Sequence, residues 1–151
     1  MYLEEKIDQL TKQFNQLDFS VPFTGWVEVM KKIESRFIIK QNSNNHFCNW
    51  ADNIKYKTTI KTLCFTNFNS LAQLNENENY WIIVVIGNVP TSRHYIYNAK
   101  PKAIQALISL ASYDFYIVDK KYHWLSYFRR DSVTNTITLY RSGDNRTPFD
   151  E

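Results

Sequence analysis

Three histidines, two cysteines and a scatter of serines and aspartates are the residues of this 151-residue chain that could do bond-making chemistry. Histidine titrates near neutrality and binds metals through its ring nitrogens, so His46, His94 and His123 come first. They stand far apart and none has a second histidine four residues away. Cys48 and Cys64 add only an H-x-C step and one distant thiol, which matches no standard zinc spacing. No metal and no cofactor are expected. Nucleophilic catalysis needs a Ser or Cys held by a base beside an oxyanion hole. Ser92, Ser109 and Ser112 lack a glycine-flanked elbow. Cys64 falls within a predicted strand, where packing is expected of it, and Cys48, in HFCNW, has only His46 two residues away. Asp114, Asp119 and Asp131 flank predicted strands. A glycosidase would need two carboxylates facing across a cleft, whereas aspartate beside a strand ordinarily closes a turn. No catalytic residue is assigned, and the chain is expected not to be an enzyme.

Basic and aromatic residues offer a different chemistry, that of binding. Residues 36–61 carry Arg36, Lys40, Lys55, Lys57 and Lys61 against the single acid Asp52, with Phe37, Phe47, Trp50 and Tyr56 interleaved. A basic strand with exposed aromatics could follow phosphates and stack bases, which makes a nucleic-acid-binding module the alternative function. The same lysines are also what an edge strand needs to resist aggregation, and a net charge of +3 is low for a nucleic-acid module. A second basic knot, Lys120, Lys121, Arg129 and Arg130, brackets a predicted hairpin.

The elements that position these groups can be read from periodicity. Leu3, Ile7, Leu10, Phe14 and Leu17 repeat at helical spacing, with Glu4, Glu5 and Asp8 early and Lys12 late, which predicts a helix over residues 2–17. After a break at 19–23, Thr24 reads as an N-cap for a second helix containing Trp26, Val27, Met30, Ile33 and Phe37. Alternation over 50–65 predicts a strand near an edge, its lysines outward. The run YWIIVVI at 80–86 predicts a central strand buried on both faces. A short strand at 94–97 follows. Pro101 opens a helix running to 111, and residues 115–118 and 124–128 form a hairpin about DKKY. A last strand covers 134–141, and residues 142–151 read as a loose tail. The expected fold is α+β: one domain over 1–151, with a mainly antiparallel sheet of five to six strands, two amino-terminal helices and one central helix.

Composition sets the outer limits. The chain is long enough for one self-sufficient core, and 44% hydrophobic with 22% charged residues is globular rather than disordered. Aromatics reach 16%, more than small cores require, and Tyr and Trp favour interfaces. The longest apolar run, at 81–86, is far too short for a membrane span, so no membrane partner is expected. With two cysteines and no apolar leader, the thiols are read as reduced in a cytoplasmic protein.

Residues 80–128 resemble a family of small uncharacterised bacterial proteins that share a Trp-led buried strand (YWIIVVI), an R-x-Y-x-Y segment (SRHYIYNA), a helix and a closing hairpin (FYIVDKKYHWLSYF). In size and single-domain build the chain is similar to immunity proteins of polymorphic-toxin and contact-dependent growth inhibition systems. That resemblance implies a cytoplasmic, non-catalytic inhibitor that binds a cognate toxin domain and occludes it. It assigns no residue. Position and residue type point to Arg93, Tyr95, Lys121, Tyr122, Trp124, Arg129 and Arg130 as the partner-binding set, with core packing the competing role for Tyr95 and Trp124.

Overall fold

A strand with branched and aromatic side chains on both sides has to be covered on both faces. The computed structural model, which describes residues 3–22, 24–39, 50–86, 95–110, 113–143 and 147–150, meets that demand. In chain order its elements are α1 (Leu3–Gln13), β1 (Phe19–Ser20), α2 (Trp26–Phe37), β2 (Thr58–Cys64), β3 (Tyr80–Val84), β4 (Ile96–Ala99), α3 (Pro101–Leu110), β5 (Phe115–Asp119), β6 (Trp124–Asp131) and β7 (Thr136–Gly143). Among the described residues the strands form one seven-stranded sheet ordered β1-β4-β3-β5-β6-β7-β2. Every neighbouring pair is antiparallel. Both neighbours of β3 run against it, so β4 and β5 are mutually parallel and need the crossover that α3 provides.

Side-chain alternation sorts the core into two layers. Tyr80, Ile82 and Val84 point to the side covered by α1 and α3, where Leu3, Ile7, Leu10, Ile104 and Leu107 are buried. Ile83, with Tyr116, Val118 and Leu125, meets α2 through Met30, Ile33 and Phe37. Burying these eight apolar side chains from the three helices contributes about 1.5–3 kcal/mol each before chain entropy is subtracted. Pro101 stands first in α3 as expected, and the amides of Ala103 and Ile104 donate to the Lys100 carbonyl.

The α+β class and the antiparallel sheet agree with the sequence reading; the strand count of five to six does not. The extra strand is β1, two residues long, in which Phe19 pairs with Ala99 and is only 1% exposed. Two residues are too few to show alternation. Helix α1 stops at Gln13 rather than 17 because the Asn15 side chain accepts the amides of Leu17 and Asp18 in a turn, leaving Leu17 76% exposed. Gly25, with φ 79°, occupies the N-cap of α2 in place of Thr24. The edge position of β2 is as predicted, but the strand begins at Thr58; Trp50–Asp52 is a 3-10 turn, and Trp50 is buried with its indole N–H donating to Glu34. Cys64 is exposed at the end of β2, which corrects the expectation that it packs.

The tail also departs from expectation. β7 continues to Gly143, and Phe149 is fully buried with its ring edge-on to Trp124 and Phe128 at 5.9 and 5.1 Å. Asp150 accepts the amide and hydroxyl of Thr147 and pairs with Arg141 at 3.0 Å. A short Thr-to-Asp turn thus anchors an aromatic plug. Among the described residues no helix is long and apolar enough to cross a membrane.

Candidate functional site

The turn joining β5 to β6 is built by Asp119. Its Oδ1 accepts the amides of His123 and Trp124 at 2.7 and 3.0 Å, and its carbonyl accepts the amide of Tyr122. Those bonds hold Tyr122 at φ 57°, a left-handed conformation that costs a tyrosine of order 1–3 kcal/mol unless its surroundings enforce it. The turn therefore projects Lys120, Lys121 and Tyr122 in a defined geometry. Asp131 builds the β6–β7 turn in the same way, accepting the amides of Val133 and Thr134, which lower its pKa. Asp114 accepts the Tyr127 hydroxyl and the Arg130 amide. Asp119 and Asp131 thus close turns as expected, whereas Asp114 bonds across to β6 instead.

Helix α2 meets this turn. Lys32 Nζ lies 5.5 Å from the centroid of the Tyr122 ring, and Lys120 Nζ lies 3.3 Å over the Trp81 ring. Glu28, Lys31, Lys32, Ser35, Arg36 and Tyr122 line a shallow groove of about 400 Å³. Lys55 Nζ donates to the Ser35 carbonyl at 2.9 Å, placing another cation where the helix dipole is negative. Of the nearby acids, Asp119 accepts the turn amides and Glu34 the Trp50 indole, and Glu28 stands in the groove one helical turn before Lys32, against four cations around it. Burial pushes the Lys120 ammonium down to about 8, and Lys120 has no ion pair among the described residues. The outcome is a cationic rim along one end of the sheet, on the α2 side.

A second, larger cleft of about 580 Å³ opens beside the same turn, with Tyr80, Glu78, Asp119, Lys121, His123 and Trp124 in its lining. His123 Nδ1 stands 3.6 Å from Asp119 Oδ2, while Glu78 accepts the Tyr80 hydroxyl. The described lining contains no Ser, Thr or Cys for that histidine to activate. No group of three or more His, Cys, Asp or Glu side chains suited to a metal occurs among the described residues. His46, His94 and Cys48 lie outside the described residues.

The seven residues proposed from sequence do not gather at one place. Lys121 is exposed and Tyr122 half-buried on the rim. Trp124 follows them in sequence but is only 7% exposed and packs between Tyr80 and Phe149, so it belongs to the core. Arg129 and Arg130 lie toward the far end of β6, roughly 20 Å away at about 3.3 Å per residue. They also point to opposite faces: Arg129 is exposed, while Arg130 stacks 3.6 Å over Phe65. Tyr95 is half-buried against the α1–α3 core, and Arg93 is outside the described residues. Sequence reading did not single out Lys31 and Lys32. The signal available was the like-charged pair Lys32 and Arg36 at i and i+4, a spacing that by itself costs a helix stability. Within the basic 36–61 segment, Phe37 and Trp50 are buried and Tyr56 is 89% exposed; Lys57 donates to the Ala51 carbonyl and covers the Tyr140 ring at 4.4 Å.

Residues 2–142 match the model of a family of unknown function, DUF6756, and the chain belongs to that family. No curated protein and no solved structure matches the chain.

Proposed function

We propose that this member of a family of unknown function is a non-catalytic, cytoplasmic protein-binding inhibitor of the immunity type, which neutralises a cognate bacterial toxin domain by occluding it. The observation that carries the reading is the β5–β6 hairpin. A sheet covered on both faces supports it, Asp119 fixes its turn, and Lys121 and Tyr122 stand on its rim. A pre-organised contact element loses little entropy on docking, which is what a tight inhibitor requires. Tyrosine and basic side chains are also the types that anchor protein interfaces. The competing reading, base stacking along residues 36–61, is less well supported, because Phe37 and Trp50 are committed to the core.

Co-expression with the carboxy-terminal domain encoded by the open reading frame immediately upstream tests the proposal. Restored growth, together with a stable complex on gel filtration, is the expected result. Growth arrest that persists, with no complex formed, would rule it out.

A further inference from the structure

We infer that the cationic rim formed by α2 and the β5–β6 turn is a docking surface for an acidic face of a partner protein; the inference rests on the protein-binding reading and names the chemistry of the partner. The rim unites two basic segments that are remote in sequence: Lys31, Lys32 and Arg36 from α2, and Lys120 from the turn, next to which the exposed Lys121 borders the neighbouring cleft. Their convergence is held by the contact of Lys32 with Tyr122 and of Lys120 with Trp81. Like charges brought together repel, so the fold bears a cost here that an acidic partner would relieve. Lys120 is moreover held 3.3 Å over the Trp81 ring and partly desolvated there, and no carboxylate within the described residues pairs with it.

Protein rather than nucleic acid fits the surface for two reasons. The aromatic rings at the rim already carry ammonium groups over them, so they are not open platforms for bases. Glu28 also lies in the groove, where it would oppose a run of phosphates but can take a donor from a mixed protein surface. On the opposite layer of the sheet the first turn of α1 carries Glu4 and Glu5, and Lys100 and Lys102 are already paired with Asp18. An acidic face is therefore steered to the α2 side of the sheet.

The test uses the full chain with fluorescently labelled oligoglutamate as the acidic polypeptide and labelled oligo-dT of matched charge as the nucleic acid. Binding of oligoglutamate is expected at low salt and to weaken as salt rises. Lys32→Glu and Lys121→Glu are each expected to weaken it about fivefold or more, whereas Lys12→Glu on exposed α1, an identical change in net charge, leaves it unaltered. Circular dichroism confirms that all three variants fold. Equal loss in all three variants, or no binding at low salt, overturns the inference. Tighter binding of oligo-dT, with the same dependence on Lys32 and Lys121, overturns the choice of protein as partner. The two proposals fail separately. If rescue from the toxin fails, the oligoglutamate result still stands; if the variants bind normally while rescue succeeds, the toxin docks elsewhere.

Discussion

Asp18 sits between two ammonium groups, with Lys100 and Lys102 each 2.9 Å from its carboxylate and its side chain only 10% exposed. Hydrogen bonds from Lys100, then Lys102, hold its pKa below the ordinary carboxylate value. The unfolded chain therefore binds a proton that the folded chain does not, and stability rises with pH through that window. The contribution is present at neutral pH and is lost as pH falls through the folded-state pKa. Asp18→Asn is expected to lower the melting temperature at neutral pH and to flatten the acid limb of the stability profile, read by thermal melts in buffers of falling pH; an unchanged limb would refute it. Asp119 works by geometry instead. Asp119→Ala leaves the amides of His123 and Trp124 without their acceptor, and about 1–3 kcal/mol of stability should be lost in urea titration. The turn role of Asp119 was foreseeable in kind, since aspartate beside a strand usually closes a turn. That Asp18 would meet Lys100 and Lys102 at the start of α3 was not, because the contact spans more than eighty residues.

At the scale of elements, the segment after β7 is the clearest departure from what sequence suggested. Its composition is polar apart from one phenylalanine, yet that ring closes the α1–α3 core against Trp124 and Phe128. Phe149→Ala should destabilise the protein by about 3–5 kcal/mol, the usual cost of emptying a buried aromatic site, and the midpoint of urea unfolding measures it. A loss below about 1 kcal/mol would mean that the segment is dispensable. Gly143 supports the same corner. At φ 119°, an added Cβ would overlap the His123 carbonyl oxygen and crowd Trp124, so Gly143→Ala is expected to be destabilising as well. Elements with long, regular patterns fared better. The apolar stripes of α1 and α2 and the two-sided run of β3 were legible because burial repeats there at the period of the element.

At the scale of the whole molecule, the sheet is ordered so that β3, β5 and β6 lie inside while β1 and β2 form the edges. Hydrogen exchange should follow that order, with amides of β3 and β5 the slowest and those of the short β1 the fastest; protection in β1 equal to that in β3 would contradict it. What the sequence by itself determined is the identity and type of most elements, the α+β class and the aspartate turns. Each depends on residues within a few positions of one another, where periodicity and turn chemistry act locally. Only the tertiary structure decided that β2 pairs with β7, that Trp124 is core while Lys121 and Tyr122 are surface, and that Lys32 meets the hairpin turn. Those outcomes depend on which faces are buried together, and burial is settled by contacts between distant segments that no local pattern encodes. The basic residues were legible one by one; their assembly into a single rim is a property of the fold.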